Sequence, residues 1–176
     1  MKSQNKAFFF DRDGIVNVLL PNAYVRDFSE FRFTPEFFKI FIKVLNAGYY
    51  TFVITNQQGI GKGLMSEADL ELIHKQMNEQ IIKECGKTFD EIYFCPDLHS
   101  SNSFRRKPNP GMLLEAIEQY TIDPHASYFI GDSISDIEAA KKVTVNSILI
   151  GDTNYHAADY QYHNLLQFLD NIHLFI

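Results

Sequence analysis

No apolar run in this chain is long enough to span a bilayer or to serve as a secretory signal core; residues 1–6 are polar and the run behind them is short. Cysteine is scarce, with only Cys85 and Cys95, so there is no disulfide framework and a reducing compartment, the cytoplasm, is expected. Basic residues are outnumbered: 16 Lys and Arg against 22 Asp and Glu leave a net charge of −6, which argues against a broad nucleic-acid footprint. Internal repeats and low-complexity segments are also lacking. What the chain has is length and apolar mass. Its 176 residues, 45% of them hydrophobic and including 16 Phe and 9 Tyr, suffice for one domain with a real core over 1–176.

The first apolar run, Ala7-Phe8-Phe9-Phe10, stops at Asp11-Arg12-Asp13-Gly14. It reads as a buried strand ending in a tight turn. Two acids at i and i+2 of an extended chain point to the same side, with Arg12 opposite. Such a pair costs several kcal/mol, roughly, unless a cation or donors meet it. Mg²⁺ is the expected partner.

The remaining elements alternate. Residues 16–33 form an aromatic-rich loop beside the first strand. Thr34-Pro35-Glu36 reads as a helix start with Thr34 as the cap, and Phe37, Ile40, Phe41, Val44 and Leu45 share one face before Gly48. A second strand over 49–54 ends in Thr55-Asn56, followed by a loop with Gly59, Gly61 and Gly63. Ser66 and Asp69 resemble a capping box for a helix with an apolar stripe at Leu70, Ile73, Met77 and Ile81. A third strand covers 91–95, a polar loop 96–106, and a helix starts at Asn109-Pro110 with Leu113, Ile117 and Tyr120 on one side. A fourth strand over 127–130 runs into Gly131-Asp132-Ser133-Ile134-Ser135-Asp136 and a short helix to about 143, and a fifth covers 147–150. The tail, 160–176, reads as partly helical, packed by Leu165, Leu166, Phe168 and Leu169. This alternation predicts an α/β fold: a Rossmann-like, doubly wound parallel sheet with right-handed crossovers. Ligands bind beyond the carboxyl ends of such strands, where Asp11-Arg12-Asp13, Thr55-Asn56 and Asp132–Asp136 should converge.

An acid cluster of Asp11, Asp13 and Asp132 implies a hard cation, and acids with a hydroxyl–amide pair and a lysine suit phosphoryl transfer. Asp11 is the natural nucleophile, forming an aspartyl-phosphate. Asp13 would protonate the leaving alkoxide and then activate water, with a pKa raised by its neighbour Asp11. Thr55 and Asn56 can donate to phosphoryl oxygens. Lys107 can neutralise phosphate and Asp11, and Arg106 can reach an anion. Asp136, one helical turn from Asp132, would support the site. The other histidines, His74, His125, His156, His163 and His173, have no ligand spacing and are expected at the surface or on helices.

These motifs, Asp11-Arg12-Asp13-Gly14, Thr55-Asn56, Lys107 and Gly131-Asp132 with Asp136, together resemble the haloacid dehalogenase (HAD) superfamily of phosphatases. FFFDRDGIVN, TNQQGIGKG, FDEIYFCP and RKPNPGM narrow the likeness to the heptose-bisphosphate and histidinol-phosphate phosphatases, over about residues 7–151. The resemblance implies one Mg²⁺ on the Asp11 and Asp132 carboxylates and the Asp13 main-chain carbonyl. The spacing between the motifs leaves no room for a large cap domain, so an open site is expected. Asn17 and the Tyr24-Val25 region match the heptose branch better.

Two positions depart from the pattern. The subfamily's zinc loop, Cys-x-His then Cys-x-Cys, here keeps Cys95 but has Asp97 for the histidine and Ser103 and Arg105 for the later cysteines. Cys95 and His99 alone fall short of four ligands, so zinc is not expected. Ser133 stands where the heptose enzymes commonly carry a lysine. The expected function is a Mg²⁺-dependent phosphatase for a small sugar phosphate, most of all a heptose bisphosphate. Histidinol phosphate and a nucleic-acid 3′-end are the other substrates. A receiver-like phospho-acceptor and a degenerate binding module are the non-enzyme alternatives; Asp13, an acid/base that a switch does not need, separates them.

Overall fold

A computed structural model describes residues 5–176; the polar stretch at 1–4 lies outside the described residues. Six parallel strands form one sheet: β1 (Ala7–Phe10), β2 (Tyr50–Asn56), β3 (Glu91–Cys95), β4 (Tyr128–Gly131), β5 (Asn146–Ile150) and β6 (Tyr160–Tyr162), in spatial order β3-β2-β1-β4-β5-β6. Helices α1 (Phe37–Asn46), α2 (Gln58–Gly61), α3 (Glu67–Cys85), α4 (Gly111–Tyr120), α5 (Ile134–Lys142) and α6 (Leu165–Asn171) complete the fold. No large cap interrupts this order among the described residues, and none of their helices is long and apolar enough to cross a membrane.

The unbroken apolar run of β1 follows from its place in the middle. A strand covered on both faces has no polar side to show. Phe8 and Phe10 pack on one face with α1, α3 and α6, through Phe37, Phe41, Leu70 and Phe168; Ala7 and Phe9 pack on the other with α4 and α5, through Met112, Leu113 and Ala140. Aromatic contacts cross the strands, Phe9 stacking on Phe52 with centroids 5.3 Å apart. Register then levels the strand ends. Phe10 lies opposite both Val53 and Ile130, so Asp11, Thr55 and Asp132 leave the sheet at one height. Strand order reverses between β1 and β4, and the crevice there is where the sheet offers a ligand site.

Local signals set the helix ends. Ser66 and Asp69 make a reciprocal capping box and Gly86 ends α3 in the left-handed region at φ 76°. Thr34 does not cap α1: its hydroxyl donates to the Ile15 carbonyl, and the helix starts after Glu36. The glycine-rich loop contains the one-turn helix α2. The tail adds β6, a sixth strand on the sheet edge, and within α6 Leu165 and Phe168 are buried while Leu166 stays exposed.

Candidate active site

Asp11 follows β1 directly, and its backbone N–H donates to the Ile130 carbonyl of β4. Lys107 reaches it from the loop before α4. Lys107 Nζ lies 2.8 Å from Asp11 Oδ1, 2.6 Å from Asp136 Oδ1 and 2.8 Å from the Ile54 carbonyl, so all three of its protons are engaged. The lysine is almost fully buried. Burial favours its neutral form, but Asp11 and Asp136 more than offset that and raise its pKa.

Asp132 opens the turn into α5. Its carboxylate lies against Gly14, where a Cβ would come within 2.0 Å of Asp132 Oδ2. Gly14 has φ +97°, so backbone conformation and space both require glycine. Asp136 is completely buried one turn later; its Oδ2 accepts from the Ser133 N–H and hydroxyl, capping α5. Carboxylate oxygens of Asp11, Asp132 and Asp136 come within 4.8 Å of one another. One lysine does not neutralise three acids. Burial, and then the neighbouring acids, push Asp11 well up, and burial with Asp136 pushes Asp132 to about 7. Even with Lys107 the cluster is short of positive charge, and its acidic ligand atoms are all hard oxygens.

Asp13 belongs to a different network. Arg12 Nη2 donates to both its oxygens at 3.0 and 2.9 Å, Asn17 Nδ2 to Oδ1 at 3.0 Å and Gln57 Nε2 to Oδ2 at 2.9 Å. Its carboxylate is taken up by this network and is not among the carboxylates that lie within 4.8 Å of one another. The expected upward shift is reversed as well. Burial raises the Asp13 carboxyl, but the Arg12 guanidinium and these hydrogen bonds outweigh it and hold the group below the ordinary range.

A 350 Å³ cavity unites Asp11, Asp13, Thr55, Asn56, Lys107 and Asp132 with Leu19, Ser133 and Ser135. Thr55 Oγ accepts from Gln57 Nε2 at 2.8 Å, which leaves the Thr55 hydroxyl proton to donate. Asn56 is used otherwise than expected. Its side chain exchanges two hydrogen bonds with the Lys107 backbone, each 3.0 Å, locking the ends of β2 and the Lys107 loop together. Arg106 lines a neighbouring cavity with Lys107, Ser103 and His99, and its Nη1 donates to the Asp97 carbonyl. Arg105 pairs with Glu115 at the surface.

The HAD-hydrolase-like family model matches residues 104–172. The D-glycero-β-D-manno-heptose-1,7-bisphosphate 7-phosphatase of Helicobacter pylori strain J99 is 35% identical over 150 residues, 85% of each chain. The D-glycero-α-D-manno-heptose-1,7-bisphosphate 7-phosphatase of Campylobacter jejuni is 32% identical over 169 residues, 95% of each. The chain belongs to the HAD-like phosphatases. Its fold is also that of a D,D-heptose 1,7-bisphosphate phosphatase from B. bronchiseptica solved with magnesium and phosphate, at TM-score 0.86 and 24% identity over 96% of this chain and 98% of that one.

Within this HAD-like phosphatase, the loop at 96–106 is held by hydrogen bonds. Cys95 Sγ donates to Asp97 Oδ2 at 3.5 Å and lies 3.8 Å from Ser103 Oγ, Arg106 grips the Asp97 carbonyl, and Asn109 Nδ2 donates to the Ser103 carbonyl. Burial pushes the Cys95 thiol up. Gln57, a partner of Asp13, and the burial of His74 escaped the sequence reading. Gln57 sits two positions after Thr55, and extended alternation places them on one side. His74 is on a helix, one of the two places expected for it, and it is buried because it lies between Leu70 and Met77 on the inward stripe of α3.

Proposed function

We propose that the protein is a Mg²⁺-dependent phosphatase of a sugar bisphosphate, a heptose 1,7-bisphosphate above all. The observation that carries this is the split between the two acids of the Asp11-Arg12-Asp13 turn. One is gathered with Asp132, Asp136 and Lys107; the other is pinned alone by four hydrogen bonds. Hydrolysis through a covalent intermediate needs such a division, whereas a phospho-acceptor switch needs only the first half.

The donor set fits Mg²⁺, with Asp11 and Asp132 and the Asp13 main-chain carbonyl as its ligands on this reading; both oxygens of Asp136 are already engaged. Bound there, the ion supplies the missing positive charge, keeping Asp11 ionised and neutralising phosphoryl oxygens. In the proposed sequence Asp11 attacks phosphorus and takes the phosphoryl group. Asp13 gives its proton to the departing sugar alkoxide. It then takes a proton from the water that splits the aspartyl-phosphate. Thr55 donates its hydroxyl to a phosphoryl oxygen, Lys107 holds Asp11 in line, and Arg106 meets a distal anionic group of the substrate. Asp136 supports Lys107. One catalytic domain over 1–176 and a cytoplasmic location belong to the same reading; both apolar clusters share the one sheet, and Cys85 and Cys95 are free thiols.

The substrate follows from the relatives, all three of which are heptose bisphosphate phosphatases by name, with both anomers represented. The test is phosphate release with Mg²⁺ from the two heptose 1,7-bisphosphate anomers, histidinol phosphate and a 3′-phosphorylated oligonucleotide. Preferential release from a heptose bisphosphate is expected. Preference for either other substrate overturns the sugar assignment, and no release from any overturns the catalytic one.

A further inference from the structure

Arg12 is 1% exposed and among the largest fully buried side chains of the protein. Its Nη2 grips both Asp13 oxygens, at 3.0 and 2.9 Å. That bond uses one nitrogen of a planar group that could still tilt. On the other side, Arg12 Nη1 lies 3.4 Å from His74 Nε2. His74 comes from the inward face of α3, 62 residues away in the chain, with its ring edge-on to Phe94 at 6.4 Å. We propose that His74 is a positioning residue for the phosphatase reaction, acting through Arg12 on Asp13. The proposal rests on the reading of Asp13 as the acid/base.

A guanidinium has donors only, so the contact exists only if His74 Nε2 accepts. The ring must be neutral with its proton on Nδ1. The surroundings enforce this: burial, and then the charge of Arg12, lower His74 to about 3, and Asp13 offsets them only in part. A protonated imidazole would repel Arg12 instead. His74 thus gives Arg12 a second anchor, on the side away from Asp13, and the plane of the guanidinium is fixed between the two. Because Asp13 takes two of its four hydrogen bonds from Arg12, the tilt of that plane sets where the carboxylate stands in the cavity. A shift of about 1 Å at such a group costs up to about 100-fold in rate, and a long 3.4 Å contact should control a fraction of that.

The test uses two polar replacements and two leaving groups. In His74→Gln the amide reaches the place of Nε2, and in His74→Asn it stops at the place of Nδ1. An alkyl phosphate expels an alkoxide that needs a proton from Asp13, whereas p-nitrophenyl phosphate expels a stable phenolate that does not. The expected result for His74→Asn is a fall of about tenfold in kcat/KM for the alkyl phosphate, little change for p-nitrophenyl phosphate, and a KM moved less than kcat. His74→Gln should restore most of the alkyl phosphate rate at equal Tm. Parallel losses on both substrates in kcat/KM, which ends at phosphoryl transfer and so leaves out the shared water step, or His74→Gln as impaired as His74→Asn, would leave His74 a packing residue only and overturn the proposal. Unchanged rates in His74→Asn would overturn it too. Asp13→Asn run alongside should show the same leaving-group asymmetry, more strongly. If it shows none, the acid/base reading itself fails and the relay falls with it. Asymmetry in Asp13→Asn without any in His74→Asn rejects the relay alone.

Discussion

Replacing Gly14 by alanine separates two effects that the active-site turn combines. The first is backbone strain. Gly14 has φ +97° and Gly48, just past α1, has φ +77°, a region that costs an L-residue about 1–2 kcal/mol. In a protein of this size that lowers Tm by about 2–8 °C. The second is steric and belongs to Gly14 alone. A Cβ there would stand 2.0 Å from Asp132 Oδ2 and 2.6 Å from its Cγ, whereas a Cβ on Gly48 meets nothing within 4 Å. To reach ordinary contact, the Asp132 carboxylate or the Asp11–Asp13 turn must move by more than an ångström. Misplacement of that size costs about 100-fold in rate. Gly48→Ala should therefore lose Tm and keep its activity. Gly14→Ala should lose at least as much Tm, about 100-fold in kcat/KM, and need more Mg²⁺ for half-maximal phosphate release. Thermal melts and a Mg²⁺ titration of both variants decide it. If Gly14→Ala melts like Gly48→Ala and stays within about threefold of the parent rate, the placement of Asp132 against Gly14 does not govern the site.

Asp11→Asn should lower turnover by at least about 1,000-fold while the far-ultraviolet circular dichroism is unchanged, and turnover near the parent value would remove Asp11 as nucleophile. Lys107→Met should cost about 3–5 kcal/mol in urea unfolding without Mg²⁺, because it leaves Asp11 and Asp136 buried beside each other; a loss under about 1 kcal/mol would mean that these ion pairs do not hold the site. Asp97→Ala removes the partner of the Cys95 thiol and should cost about 1 kcal/mol, while metal analysis of the parent protein finds no stoichiometric zinc. Zinc at one equivalent would overturn the reading of the 96–106 loop.

Elements with a dense local signal were legible before any coordinates. Phe8 to Phe10 and Phe52 to Ile54 read as buried strands because both faces of the central sheet are covered, and Ser66 with Asp69 marked the start of α3 through bonds made within four residues. The convergence of Asp11, Thr55 and Asp132 followed from the strand-end rule, whereas Lys107 comes from the loop before α4. What escaped depends on distant partners. β6 is three half-exposed residues that become a strand only by pairing with Ile148 to Ile150. Thr34 had the chemistry of a cap, but the Ile15 carbonyl took its hydroxyl. The sign of the Asp13 shift could not be read from Asp11 alone, because Arg12, Asn17 and Gln57 surround it from three places in the chain. His74 lies on a helix, one of the two expected places, but its burial shows only once its position between Leu70 and Met77 is placed against the sheet.

That surround has a consequence for the chemistry. All four hydrogen bonds to Asp13 are donated to it, from three nitrogens, and a carboxylate that accepts four such bonds has no room for a proton without giving one of them up. The arrangement seen is the base-ready form, suited to the step in which water attacks the aspartyl-phosphate. On the proposed reading the earlier step needs the acid form, so protonating Asp13 must loosen at least one donor. Asn17 also donates to the Val18 carbonyl, and Gln57 to Thr55, so each is anchored by a second bond of 3.0 Å or less. Arg12 has only the 3.4 Å contact to His74 behind it and a buried Nε with no partner among the described residues. The guanidinium is then the donor with least to hold it when the proton arrives.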